Sequence, residues 1–231
     1  MSANISFVLP MYNEEKGIEN TITRLIGMAG KLGCDYEIVV ADDASTDKSA
    51  EVVEKIVQNN PRIKLVRLAR NTKFGGALRA GLKKASKEII VYTDSDLPVD
   101  FEDIEGALKI IEGVHCVTGS SKVEKGENPK RIIISKVYNF IIQSLFRTNI
   151  KDINSGLKIY KREIFCEMKL FSNSPFIDVE IFVNMIRKGF LIKQYPVIFK
   201  NRKEGKSYIS SPAVILRTFL DMLKFKFRGV R

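Results

Sequence analysis

The segment EIIVYTDSDLP, residues 88–98, constrains this chain more than any other. An apolar, β-branched and aromatic run, Ile89-Ile90-Val91-Tyr92, stops at two aspartates one residue apart, Asp94 and Asp96. A strand buried on both faces of a parallel sheet reads this way, closed by a turn. Open α/β sheets bind ligands beyond the carboxyl ends of such strands. Two carboxylates this close repel unless a cation is shared between them, and magnesium is usually held by one or two carboxylates together with substrate phosphates. The competing explanation is a helix N-cap in a solvated loop, because short Asp-x-Asp pairs also arise by chance.

The flanking sequence supplies the sheet. Strands are expected at Ile5–Pro10, Tyr36–Ala41, Ile63–Leu68 and Val114–Gly119. Between them lie helical spacings over Gly17–Leu32, from Thr46 or Asp47 through Val57, in FGGALRAGLKKA, and over Phe101–Ile111. This β-α alternation with short connections predicts an α/β fold, a doubly wound and mostly parallel sheet with right-handed crossovers. After Gly119 the regularity changes. Ser120–Pro129 is a polar loop, Arg131–Phe146 an apolar helix flanked by basic residues, and DINSGLKIYKRE carries no assigned element. A helix around Val179–Lys188, short strands at Phe190–Tyr195 and Val197–Phe199, a basic loop and an amphipathic C-terminal helix, Pro212–Arg228, complete the chain. No linker divides it, so the expectation is one domain over 1–231. Within it, residues 1–119 form a regular half and 120–231 a less regular, more basic half.

Charge narrows the partners. The chain carries a formal +11 over 231 residues. From Lys200 to Arg231, nine Lys/Arg stand against Glu204 and Asp221, a net +7. A basic end of this kind suits an anionic partner: nucleic acid, a phosphorylated substrate or an anionic membrane. Aromatics interleaved on a polar face and any nucleic-acid motif are missing, so nucleic acid is not expected. Cys34, Cys116 and Cys166 have neither disulfide nor metal-ligand spacing and are expected to be buried, reduced thiols. His115 opens an apolar run and reads as a strand-edge residue. Nothing like a signal peptide stands before Ile5, and no run approaches the roughly 18 apolar residues of a membrane span. The expectation is a cytoplasmic protein, peripheral on the inner face of the membrane.

Three polar clusters fall at strand ends: Pro10-Met11-Tyr12-Asn13-Glu14, Asp42 to Asp47, and Asp94-Ser95-Asp96. A parallel sheet gathers all three along one edge. There Tyr12 can cover a base or ribose, Glu14 and Asp42 can accept from base or ribose donors, and the aspartate pair can hold a metal and a diphosphate. Turn chemistry and helix capping account for the first two clusters equally well when each is taken alone.

VLPMYNEE, VVADDASTD and YTDSDLP resemble the signature segments of the inverting, GT-A-fold family 2 glycosyltransferases. DINSGLKIYKRE, FIDVEIFVNMIRKGF and RKEGKSY are similar to later segments of the dolichyl- and polyprenyl-phosphate mannose and glucose synthases, so the resemblance covers nearly the whole chain. It implies that Pro10, Tyr12, Glu14, Asp42, Asp94 and Ser95 hold the nucleotide-sugar, GDP-mannose or UDP-glucose. It implies that Asp94 and Asp96 engage Mg2+ or Mn2+, with Asp96 and Asp152 as catalytic carboxylates. Arg131 and Ser135 match an acceptor-phosphate pair, and Arg202 and Lys206 a loop that folds over the diphosphate. Pro98 stands where the mannose enzymes usually have Gln, and TKFGGALRAG looks more like the glucose-type members, which leaves the sugar open.

The implied reaction moves a hexose to a polyprenyl phosphate. A departing diphosphate needs a metal and Arg/Lys to stabilise it. A hydroxyl acceptor would need a general base, whereas a phosphate with a second pKa of about 6 is already mostly a dianion near neutrality. Asp152 is the nearest carboxylate for a base role, with orientation of Arg131 or a turn cap as alternatives; Asp178 and Glu180 read as possible first-turn helix acids. Arg131–Phe146 and Pro212–Arg228 could lie in the membrane interface, basic residues toward lipid phosphates, or pack on the sheet or another subunit. A soluble transferase acting on a saccharide or protein hydroxyl and a non-catalytic nucleotide-sugar or membrane-binding module are the rival readings.

Overall fold

The structure is a computed structural model in which residues 4–122, 129–200 and 212–227 are described. Seven strands form one sheet in the order β3-β2-β1-β4-β6-β5-β7. They are β1 (Ile5–Met11), β2 (Tyr36–Asp42), β3 (Ile63–Arg67), β4 (Ile89–Thr93), β5 (Cys116–Ser121), β6 (Leu157–Lys161) and β7 (Ile192–Val197). Helices α1 (Ile18–Leu32), α2 (Ser49–Asn59), α3 (Phe74–Lys84) and α4 (Phe101–Leu108) separate the first five strands as the sequence predicts. The later helices are α5 (Pro129–Phe146), α6 (Ile177–Arg187) and α7 (Pro212–Phe227).

The first five strands all run in one direction, as the mostly parallel expectation requires, but their neighbours differ at one place. β4 and β5 do not pair with each other, because β6 inserts between them antiparallel to both. β6 lies inside DINSGLKIYKRE, where no strand was expected, and the two short runs after Phe190 form one strand, β7. Only β6 runs against the others, so the sheet remains mostly parallel.

Alternation along the buried strands divides the interior. Phe7, Leu9, Ile38, Val40, Val91 and Ile159 face the layer holding Ile22 and Leu25 of α1, Val53 of α2 and Ile104 of α4. Val8, Val39, Ile90, Tyr92 and Tyr160 face the layer holding Leu78 of α3, Phe182 of α6, Ile142 of α5 and Met222 of α7. A sheet covered on both faces is what the near-continuous apolar strands require.

One buried acid anchors the edge opposite the candidate site. Glu37 on β2 accepts from Ser6 Oγ at 2.6 Å and from the Ser86 amide at 2.6 Å, and pairs with Lys64. Burial opposes its ionisation, but Lys64, Ser6 and Ser86 outweigh it and bring the carboxyl from an ordinary 4.5 down to about 2. A depressed carboxyl stabilises the fold above its unfolded pKa and loses that contribution as pH falls through the folded one. The shift corresponds to about 3 kcal/mol. Glu37→Gln is therefore expected to cost about 2–3 kcal/mol at pH 7 and to flatten the acid loss of stability between about pH 4.5 and 2, as read by urea unfolding across pH.

The cysteine expectation holds in part. Cys116 is buried and Cys34 half-buried, but Cys166 is exposed, because it follows a short 3-10 turn, Arg162–Phe165, at the surface. His115 is a structural strand-edge residue: its Nδ1 accepts the Leu191 amide at 3.1 Å and its ring lies 4.9 Å from that of Phe190.

Candidate active site

The carboxyl ends of β1, β2 and β4 lie side by side, with Met11 opposite Asp42 and Val8 opposite Tyr92. The loops that leave β1 through β4 each carry a non-glycine residue in the left-handed region: Asn13 (φ 55), Ala44 (φ 57), Lys73 (φ 69) and Leu97 (φ 44). Such residues cost about 1–3 kcal/mol each and concentrate at ligand-binding edges, where surrounding bonds hold them.

Those bonds are visible. The loops after β1 and β2 are stitched together. The Asn13 amide donates to Ser45 Oγ at 3.0 Å, the Thr46 amide to Asn13 Oδ1 at 2.8 Å, and the Glu14 amide to Ser49 Oγ at 2.7 Å. Asp47 does not cap α2 directly; it accepts the Ser49 amide at 2.9 Å from two residues upstream, and Lys48 is the cap residue. Asp43 accepts both the amide and the hydroxyl of Thr72, at 2.6 and 2.9 Å, and so holds the loop after β3 against the same edge. The loop after β4 is tied to α1: Thr21 Oγ1 donates to the Ser95 carbonyl at 2.7 Å, and Arg24 donates to the carbonyls of Leu97 and Val99, each at 3.2 Å.

This framework brings Pro10, Tyr12, Glu14, Asp42, Asp94, Ser95 and Asp96 to one edge. Pro10 and Asp42 are buried, and the other five are half-buried. Asp42 Oδ1 accepts the Ser45 amide at 3.0 Å, whereas Oδ2, 3.6 Å from Arg67 Nε, has no hydrogen-bond partner. An acceptor left without a donor in a fully buried carboxylate is costly unless a ligand supplies one.

Asp152 lies farther across the sheet, where its Oδ2 accepts the Ser121 amide at 3.3 Å beyond the end of β5. The segment carrying it is fastened to α5. Asn139 Oδ1 accepts the Ile153 amide at 3.2 Å, and Gln143 Nε2 donates to the Ile150 carbonyl at 2.8 Å. Ser135 is exposed on α5. Arg131 stands four residues before it, one helical turn away. Arg202 and Lys206, and the polar loop over 123–128, lie outside the described residues.

The sequence reading missed a charged pair beneath Asp94. Lys158, the second residue of β6 and fully buried, lies 3.2 Å from Asp178 Oδ2 at the start of α6. Burial pushes the Asp178 carboxyl above the usual carboxylate range, Lys158 opposes that, and the Asp152 charge adds to the rise. Glu180 is buried too, where it accepts the amides of Phe171 and Ser172, each at 2.9 Å. Both acids sit in the first turn of α6, but they serve Lys158 and two backbone amides rather than a solvated helix end. The Lys inside DINSGLKIYKRE and the two acids of FIDVE were the available signals.

A mostly parallel sheet with polar clusters on its carboxyl edge is a common α/β arrangement, and the full topology matches that of GT-A glycosyltransferases. Solved structures share it. A mannosyltransferase from Pyrobaculum calidifontis, in complex with GDP-Man and Mn2+, superposes with a TM-score of 0.69 at 21% identity, over 97% of this chain and 65% of that one. Glucosyl-3-phosphoglycerate synthase from Mycobacterium tuberculosis, in complex with Mn2+, UDP and phosphoglyceric acid, does so with a TM-score of 0.72 at 18% identity, over 99% and 80%. Residues 6–168 match the family model described as glycosyl transferase family 2. The chain belongs to that family. Among curated relatives it is 28% identical to glycosyltransferase AglD of Haloferax volcanii, over 94% of this chain and 37% of that protein. It is 27% identical to the undecaprenyl-phosphate 4-deoxy-4-formamido-L-arabinose transferase of Pectobacterium atrosepticum, over 76% and 54%. The chain thus spans about half or less of the length of these two relatives.

Proposed function

We propose that the protein transfers a hexose, mannose or glucose, from GDP- or UDP-sugar to a polyprenyl (dolichyl) phosphate with inversion and with help from Mg2+ or Mn2+. The observation that carries this reading is the carboxyl edge, where Asp42 has a carboxylate oxygen ion-paired with Arg67 but without a hydrogen bond, and Asp94 and Asp96 stand as a carboxylate pair one strand beyond β1. The donor set fits a divalent ion shared with phosphates, since such an ion needs one or two protein carboxylates. When bound, the ion supplies charge neutralisation to the departing diphosphate. Asp42, Glu14 and Tyr12 hold the nucleoside, Ser95 and the aspartates orient the diphosphate, and Arg202 and Lys206 add positive charge to the leaving group. Arg131 and Ser135 receive the acceptor phosphate one turn apart on α5.

Such an acceptor requires no proton removal. Asp152 then orients the acceptor end of the site through the segment that Asn139 fastens to α5. A hydroxyl acceptor would instead make Asp152 a base. Polyprenyl phosphate is expected to accept label from the donor, while the corresponding free polyprenol is not; transfer to the polyprenol, or only to a saccharide, would overturn the acceptor assignment.

The exposed faces of α5 and α7 support a membrane-surface location on the cytoplasmic leaflet. Ile133, Val137, Phe140 and Ile141 form an open stripe on α5, with Phe140 69% exposed. Ile215, Leu216, Phe219 and Leu220 form another on α7. The helices meet near their carboxyl ends, where the Phe146 and Phe225 rings are 5.9 Å apart and Lys226 donates to the Leu145 carbonyl at 3.0 Å. Exposed Lys136, Arg217 and Lys224 supply the basic partners for anionic headgroups. No helix among the described residues is long and apolar enough to cross a membrane. Replacing Phe140 and Phe219 together by Asp is expected to lower binding to phosphatidylglycerol-containing vesicles by at least about tenfold, read by co-sedimentation, with the unfolding midpoint preserved.

A further inference from the structure

The floor under Asp94 is built from charged and glycine residues that the proposed reaction does not use. Lys158 Nζ donates to the Ser155 carbonyl at 2.6 Å, faces Asp178 Oδ2 at 3.2 Å and lies over the Tyr92 ring at 4.9 Å. An ammonium has three donors; two find oxygen, and the aromatic face lies beneath the nitrogen. The Ser155 carbonyl belongs to the peptide that joins Ser155 to Gly156, so Lys158 fixes that peptide plane. Gly156 in turn leaves the room that the aspartate occupies. A β-carbon there would stand 2.9 Å from Asp94 Oδ2 and 3.1 Å from Pro98 Cγ. From the other side, the Tyr92 hydroxyl faces Asp94 Oδ1 at 3.5 Å. Register places Tyr92 directly opposite Lys158 across β4 and β6. Both carboxylate oxygens of Asp94 are thus bordered by groups that Lys158 either bonds or lies over.

We infer that the buried Lys158–Asp178 pair is a positioning device for Asp94: through the Ser155–Gly156 peptide and the Tyr92 ring it sets where that carboxylate stands, and so sets affinity for a divalent cation bound together with a nucleoside diphosphate. This rests on the donor-site reading above. A pair buried for stability alone has no reason to contact both groups that border a metal-facing aspartate, and such pairs are often replaceable by apolar residues at little cost in stability. Supporting groups behind metal ligands typically change affinity about ten- to a hundredfold.

Two variants test the inference. In one, Lys158→Met and Asp178→Leu are combined, removing both charges together. In the other, Gly156→Ala pushes on Asp94 with the pair intact. Mn2+ uptake is read from the free-ion electron paramagnetic resonance signal in the presence of UDP and, separately, GDP. Metal-free binding of UMP and GMP is read by calorimetry. Both variants are expected to weaken Mn2+ uptake with the diphosphate by about ten- to a hundredfold while monophosphate binding stays at the wild-type level. A general structural defect would lower both. A cooperatively unfolding double variant, or a Gly156→Ala protein, with wild-type Mn2+ affinity overturns the positioning role. A wild-type protein that takes up no Mn2+ with either diphosphate overturns the donor-site reading, and this inference falls with it.

Discussion

Asp94→Asn and Asp96→Asn are each expected to lower sugar transfer by about a hundred- to a thousandfold while shifting the unfolding midpoint by less than about 2 °C. Both residues are half-buried in a loop whose backbone is held from elsewhere. The Ser95 carbonyl is fixed by Thr21, those of Leu97 and Val99 are fixed by Arg24, and the Leu97 amide closes the turn on the Asp94 carbonyl at 3.0 Å. None of these bonds uses a carboxylate oxygen of either aspartate. An amide also preserves the shape at Asp94 and can still accept from Tyr92. What it lacks is the negative charge that, in the proposed reaction, shares a divalent ion with a diphosphate. Transfer rates and thermal unfolding on the same preparations separate the two effects, and full transfer by either variant would remove that aspartate from the metal site.

Gly75→Ala is expected to lower stability by about 2–4 kcal/mol and to lower donor affinity with it. Gly75, at the start of α3, donates its amide to the Asn173 carbonyl at 2.9 Å. A β-carbon there would stand 2.4 Å from the Ser172 carbonyl oxygen and 2.8 Å from the Asn173 carbonyl carbon. These are backbone atoms, and they cannot yield cheaply. Arg79 donates to the Ser172 carbonyl at 2.9 Å and to Asn173 Oδ1 at 2.8 Å, Glu180 holds the Ser172 amide, and Asp221 of α7 accepts the Ser174 amide at 3.1 Å. One short segment therefore joins α3, α6 and α7, and prying it off α3 also disturbs Thr72, which Asp43 holds at the candidate-site edge. Gly27→Ala, at an open position in α1, should instead be neutral or stabilising by up to about 1 kcal/mol. Urea unfolding of the two variants checks both, and equal stabilities would contradict the packing argument.

The strands and helices before residue 119 were legible because their signals are local. Apolar strands end in turn residues, and helical stripes bury one face. β6 was not, since Lys158 near its start makes LKIYK look half-solvated, and only the distant Asp178 makes that position tolerable in a core. The same limit hid Glu180, whose partners are backbone amides nine and eight residues earlier. Candidate-site residues at strand ends could be named because parallel topology alone brings them to one edge. The roles of Asp43, which lies in one of those clusters, and of Gly156 could not, because their work is to hold Thr72 and to leave room for Asp94, and neither task marks the sequence around it.

The most direct measurement supplies the protein with polyprenyl phosphate and labelled GDP-mannose or UDP-glucose, with Mn2+ or Mg2+ and then with excess chelator, and follows label into an organic-extractable product. Metal-dependent label in the lipid phase from one of the two donors is the predicted result. Lipid-linked label that survives the chelator would contradict the metal's part. Donor consumption with label remaining in the aqueous phase, or no reaction with either donor, would contradict the assignment as a polyprenyl-phosphate hexosyltransferase.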